Sequence, residues 1–327
     1  MTTEELNGRI AQIFGMSEKV IDRMNGQVDR SMVRMYSQSL KDVKSNIAGM
    51  YEKFGDSVSL GEMSKFNRLE NLEKSIQGEL KLLGNESQKV MAQNIKDNFT
   101  ESFYHTGYAM ETPLEVSMGF GGLDKDAVRA AVINPQDRIK WPTRNKTNIN
   151  MLNNRIKSAV TEGLIQGYGY AKTANLVKDK VNRSAFEALR IVRTEGQRAK
   201  ATARNLAVDK IEKAGERLGI GTQQIWNATL DSSTRDEHGG IDGEAANKDG
   251  EWTFSDGTTT RGPGMSGVAE HDINCRCTTY TQVGDLGQDV RKDNESKDII
   301  PYKKYDEWAK DKGIPTNGRA KARFTKP

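Results

Sequence analysis

The chain has 327 residues, 35% hydrophobic and 29% charged, with a net charge of +4 and a mean hydropathy of −0.73. Charge this evenly balanced excludes a disordered polyelectrolyte, the length calls for two or three folding units, and no apolar window approaches the roughly 18 residues that span a membrane. Seven prolines among runs of Lys, Glu, Gln, Ala and Met favour long helices. The expected fold class is therefore α+β, mainly α: long N-terminal helical hairpins, a basic helical middle and a small β-rich C-terminal module.

The opening MTTEELNGRI carries acids where a secretion signal needs a basic and then an apolar stretch. Two cysteines, Cys275 and Cys277, give no disulfide framework, and one intervening residue is poor geometry for joining them. Both features point to a reducing compartment.

From Ser17, apolar residues at Ile21, Met24, Val28, Met32, Met35, Leu40, Val43, Ile47, Met50 and Phe54 recur in steps of three or four, which predicts one long amphipathic helix with a possible break near Gly49. A second run, from Met63 to Leu83, is expected to end at Gly84, and a third follows through Val90, Ile95, Phe99 and Phe103. Residues 1–110 thus read as a helical docking domain. Eleven of the twelve methionines fall before residue 152, where they suit core packing or an adaptable binding face. Residues 111–147, with Pro113, Gly119, Gly121, Gly122, Pro135 and Pro142, read as a joint.

Residues 148–220 form a basic helical region that pauses at the GYGY of 167–170. Net charge runs −1 over 1–110, +8 over 111–220, −7 over 221–285 and +4 over 286–327. Such alternation suggests distinct surfaces for distinct partners. Arg190, Arg198, Lys200 and Arg204 on the basic helix, with Arg319, Lys321, Arg323 and Lys326 in the tail, are the candidates for sequence-independent contact with DNA phosphates; a solvated helix face is the other reading of the first four.

Residues 221–285 change texture. Gln223–Leu230 can form a strand, EWTFS–Asp256–Gly257–TTTR is a hairpin signal, and Ile273–Val283 alternates like a strand. Thr234 and Glu237 have capping-box spacing, predicting a helical turn over Ser233–His238 with Asp231 before it. The basic tail, 286–327, contains a short helix around Tyr302–Lys310.

Several polar residues of this module stand in a fixed order. Trp226, Asp231, Arg235, His238, Asp242 and Gly243 follow the pattern W-x4-D-x3-R-x2-H-x3-DG, then comes Asn274-Cys275-Arg276-Cys277, and Arg193-Thr194-Glu195 precedes them on the basic helix. One reading is a structural polar cluster of Arg193, Glu195, Trp226, Asp231, Arg235, His238, Asp242, Gly243 and Arg276 that clasps a small domain. A second is a structural zinc site, with Cys275 and Cys277 on one strand face and His238 with His271 or Asp231 completing a tetrahedron. A third is a metal-assisted hydrolytic site using His238 and Asp231. For the Arg193–Glu195 triplet, pairing with the cluster competes with a ligand pocket of a kind weakly similar to ADP-ribosyltransferases.

The ordered motif, joined by Tyr305 and Trp308 in the tail, resembles the minor head proteins of tailed phages grouped with the Mu F protein and the SPP1 head morphogenesis protein, over roughly residues 150–310. His271, between Pro263 and Cys275, departs from that pattern. The resemblance implies a non-enzymatic minor capsid protein in the capsid interior of the virion, assembled in the host cytoplasm. It would be bound near the portal, touch capsid or scaffold proteins and double-stranded phage DNA, and act in head morphogenesis or genome delivery. A zinc-dependent hydrolase or nucleotide-using effector built on the C-terminal module is the competing expectation.

Overall fold

The computed structural model describes residues 2–133, 140–284 and 290–314. It is mainly α with small antiparallel sheets, as the periodicity predicts. Helix α1 (Thr3–Phe54) opens on a reciprocal cap: the Glu5 amide donates to Thr2 Oγ1 at 3.1 Å and the Thr2 amide to the Glu5 carboxylate at 2.8 Å. It runs through Gly49 without a break. Helix α2 (Leu60–Ser64) carries a second capping box, Ser59 with Glu62, and α3 (Arg68–Leu114) continues past Gly84. An interior glycine costs a helix about 1 kcal/mol, which burial of a long apolar stripe outweighs. Gly84 serves packing instead: a Cβ there would lie 3.4 Å from Ile149.

Helix α4 (Lys125–Ile133) precedes α5 (Trp141–Ile165), whose Pro142 sits in the first turn, where no amide partner is lost. Gly167, at a φ of 63°, lets the chain turn into α6 (Tyr170–Leu218). No described helix is long and apolar enough to cross a membrane.

The chain divides into two compact units whose limits fall within α1, α3 and α6. One comprises residues 25–94 and 138–192. Its buried stripe includes Ile47, Ile76, Leu80, Leu152, Ile156, Val177 and Val181. Inside it Asn148 donates to the Ser184 carbonyl at 2.9 Å and accepts from the Ser184 hydroxyl at 3.0 Å, so the buried amide is satisfied on both ends.

The other unit comprises residues 1–24, 95–137 and 193–327. Strand β1 (Thr222–Asn227) pairs antiparallel with β4 (Thr278–Val283), Thr222 facing Val283 and Asn227 facing Thr278. Between them lie α7 (Asp236–Gly240), the short hairpin of β2 (Trp252–Thr253) and β3 (Thr259–Thr260), and α8 (Ala269–Asp272). After β4 come a second hairpin, β5 (Val290–Lys292) with β6 (Ile299–Pro301), and α9 (Tyr305–Asp311). The Asn7 amide clamps the end of β4, exchanging two 2.9 Å bonds with the Val283 backbone. One apolar core of the unit gathers Ile10, Phe14, Met110, Ile211, Ile225 and Tyr280, and a second gathers Trp226, Trp252, Phe254, Cys275, Cys277, Tyr305 and Trp308.

Candidate functional site

The second core is where the ordered motif converges. Trp226, fully buried at the end of β1, meets the rings of His238, Trp252 and Phe254 edge-on at 5.6–5.7 Å. Its backbone holds the Asp242–Gly243 turn: Trp226 N–H donates to the Glu244 carbonyl and Gly243 N–H to the Trp226 carbonyl, both at 2.9 Å. Gly243 has a φ of 76°, and a Cβ there would stand 2.6 Å from the Tyr302 hydroxyl, so glycine is required twice over.

Asp242 is the clasp. Its carboxylate accepts the amides of Ala228 at 2.8 Å and Tyr305 at 2.7 Å, and it pairs with Arg291. Arg291 in turn donates to the Ala228 carbonyl and, at 2.9 Å, to the Lys303 carbonyl. One buried carboxylate thus ties β1, β5 and the start of α9. Arg291 lay outside the sequence expectations, because nothing in its neighbourhood distinguishes it from other basic residues of the tail. Trp308 completes the closure by donating its indole N–H to Asp293 at 2.9 Å. Burial works against ionisation of Asp293, but that bond and the amides of Glu295 and Ser296 hold its carboxyl below the usual range.

The remaining motif residues distribute differently from expectation. The turn after β1 is helical only over α7, capped at Arg235, and Thr234 is no capping-box residue: its hydroxyl donates to the Thr229 carbonyl. Asp231 accepts the Ser233 amide at 2.8 Å and pairs with Arg276 at 2.9 Å. Arg235 donates to the Ile273 carbonyl at 2.5 Å, steadying the chain just before Asn274. Of the Arg193–Glu195 triplet, Arg193 is exposed, Thr194 accepts the Asn274 amide at 3.3 Å, and Glu195 is buried beside Arg198 at 2.9 Å. The triplet thus reaches the NCRC segment through Thr194. Gln197, one turn on, donates to the Cys277 carbonyl at 2.6 Å.

Three of the basic residues expected to meet DNA are internal. Arg198 donates to the Ala131 carbonyl at 2.8 Å, while Lys200 and Arg204 converge on Glu18, Lys200 at 2.8 Å. All three are 5% exposed or less, whereas a phosphate contact needs an accessible head group. Their charge closes the fold, and the expectation of a DNA surface there is corrected. Burial alone would raise the Glu18 carboxyl, but Arg204 and Lys200 pull it down to about 2. Arg190 is partly exposed and pairs with Glu187. Arg319, Lys321, Arg323 and Lys326 lie outside the described residues.

Cys275 and Cys277 occupy an irregular segment just before β4 rather than the strand itself. Alternation still places both inward, with Arg276 outward between them. Both sulfurs stand 3.6 Å from His238 Nδ1, and the three donor atoms lie within 4.8 Å of one another. The hydrogen bond between the two sulfurs lowers Cys275 and, with burial, raises Cys277 well above its ordinary value. His271 is outside that set but adjacent, its ring 5.6 Å from His238 and 4.4 Å from Phe254, with Nε2 2.8 Å from Asp256. Two soft sulfurs and an imidazole in an apolar shell can hold a metal, and each of the three residues is 4% exposed or less.

Residues 154–280, which contain His238, His271, Cys275, Cys277 and Asp242 but not Arg291, Tyr305 or Trp308, match the family described as Phage Mu protein F like protein. Over 305 residues the chain is 27% identical to the minor head protein GP7 of Bacillus phage SPP1, covering 90% of this chain and 96% of that protein. Over 299 residues it is 29% identical to a protein of Enterococcus faecalis named NAD(+)–arginine ADP-ribosyltransferase EFV. That alignment covers 91% of this chain and 60% of the Enterococcus protein, so the chain spans less than two-thirds of that relative's length. No solved structure matches the chain.

Proposed function

We propose that this chain, which belongs to the Mu F-like family of phage minor head proteins, works inside the capsid next to the portal, in head morphogenesis and genome delivery. Residues 1–110 dock on the portal or on a capsid or scaffold neighbour, and the C-terminal module is a closed, non-catalytic fold. One observation carries the reading: alignment with a phage minor head protein runs over 96% of that protein's length, and the motif residues from Trp226 to Cys277, inside the 154–280 stretch that the family model matches, serve closure of a core. Trp226 fills it, Asp242 bonds three segments, and Gly243 permits the turn between them.

Co-expression with a portal protein from the same phage genome tests the proposal. Co-elution of the two at a fixed ratio is expected; separate elution, together with absence from purified heads, overturns it.

Sequence-independent DNA contact belongs to the same proposal. The exposed Lys172, Lys178 and Arg183 of α6 supply charge on one unit, and the basic residues of 319–326 supply more along the chain. Phosphate-dominated binding falls steeply between about 50 and 200 mM salt, whereas affinity indifferent to salt overturns this part.

The Enterococcus relative's name favours a second reading, an ADP-ribosyltransferase. Activity of that whole protein need not reside in the part this chain spans. Incubation with NAD+ and an arginine-bearing acceptor separates the readings: turnover supports the enzyme, and its absence supports the structural role.

A further inference from the structure

The sulfurs of Cys275 and Cys277 and Nδ1 of His238 converge in a shell that includes Trp226, Trp252 and Phe254. Burying two thiols against an imidazole gives each polar atom only weak partners, since a thiol is a poor donor and a poor acceptor. The arrangement is poor as a hydrogen-bonded network and good as a soft ligand set. Thiolate and imidazole together select zinc over the hard cations.

A second, independent feature lies beside it. His271 Nε2 is 2.8 Å from Asp256 Oδ2, and Asp256 is itself fixed by the Thr258 amide at 2.8 Å. A carboxylate at that distance fixes the proton on Nε2 and leaves the lone pair on Nδ1. That Nδ1 is buried and has no hydrogen-bond partner among the described residues. A carboxylate orienting the far nitrogen of an imidazole, with the near nitrogen left as a bare donor, is the outer shell that metal-ligating histidines need. The ring already lies 5.6 Å from His238, on α8, a single turn of four residues.

We propose that His238 Nδ1, Cys275 Sγ, Cys277 Sγ and His271 Nδ1 bind one zinc ion, a structural site that fastens α7, α8 and the approach to β4 to one another. His271 moves to complete the tetrahedron, since it stands outside the tight set of three. Binding deprotonates both thiols, so two protons leave as the ion enters, and affinity rises with pH. Four protein ligands leave no open position for water, which makes the site closed and non-catalytic.

The test uses the full chain expressed with zinc in the medium and purified without chelator. Elemental analysis should give about one zinc per chain. Replacement by Co2+ should give thiolate-to-cobalt charge-transfer bands with the intense visible bands of tetrahedral coordination. Cys275→Ser, Cys277→Ser and His238→Gln should each abolish those bands, and His271→Gln should weaken binding at least tenfold. Where a variant fails to fold, the native chain decides: a chelator should remove the zinc and lower Tm, and added zinc should restore both. A native chain that purifies metal-free, gives no cobalt spectrum and shows no Tm change with zinc overturns the site. Unchanged affinity in a folded His271→Gln variant overturns the fourth ligand.

Discussion

Asp242 and Arg291 form an ion pair whose side chains are 1% and 2% exposed, and the pair is the knot through which strand β1, strand β5 and helix α9 are joined. Separated by 49 residues, the two charges are supported at that depth by the amides of Ala228 and Tyr305 on the carboxylate and by the Ala228 and Lys303 carbonyls and the Asn227 side chain on the guanidinium.

Removing one partner leaves the other charged and buried. Asp242→Ala or Arg291→Met should each cost about 3–5 kcal/mol, read as a fall in the midpoint of denaturant unfolding. The double change Asp242→Leu with Arg291→Met should recover part of that loss, since no lone charge is left behind. Full recovery is not expected, because the amides of Ala228 and Tyr305 still lose their acceptor.

A pH dependence follows from Glu18. Its carboxyl is held at about 2 against an ordinary value of 4.5, so the folded state binds this proton less readily than the unfolded chain does. The stabilisation is complete above pH 4.5 and is lost as pH falls through 2. It amounts to about 3 kcal/mol at most, given that the side chain is 16% exposed. Acid titration of stability should lose this component in Glu18→Gln, which is also less stable at neutral pH because Lys200 and Arg204 are then buried without their carboxylate.

Gly239 is predicted to tolerate no side chain. A Cβ there would stand 2.3 Å from Tyr305 Cδ1, and Tyr305 sits in the second core. Gly239→Ala should displace α9 and lower stability by about 1–3 kcal/mol, with increased exchange of amides in residues 305–311. Unchanged exchange there would contradict the packing.

Trp308→Phe keeps most of the ring area but removes the donor to Asp293. A loss of about 1–3 kcal/mol is expected from thermal unfolding, growing smaller as pH falls and Asp293 becomes protonated.

The helical layout was legible in the sequence because its signal is local: apolar steps of three and four from Ile21 to Phe54 need no knowledge of the partner. The same locality misled at Gly49 and Gly84, where a helix-breaking propensity of about 1 kcal/mol was set against burial that only the folded chain reveals. The α6 charges were illegible for a related reason. Lys200 and Arg204 share a carboxylate 182 and 186 residues away, and a buried lysine looks the same in sequence as a solvated one. The histidine–cysteine cluster was legible as residue types in order, and His238, Cys275 and Cys277 lie together with His271 beside them, but Asp256 as the partner of His271 was not, since the hairpin signal at Asp256–Gly257 assigned that residue to a turn.

Quantitative mass spectrometry of heads purified from cells expressing the full set of phage structural proteins tests the central assignment most directly. This chain is expected in the particle at a few copies per portal ring, and its signal should be lost when residues 1–110 are deleted. Heads of normal composition that lack the chain, in cells where it is expressed and folded, would contradict that assignment.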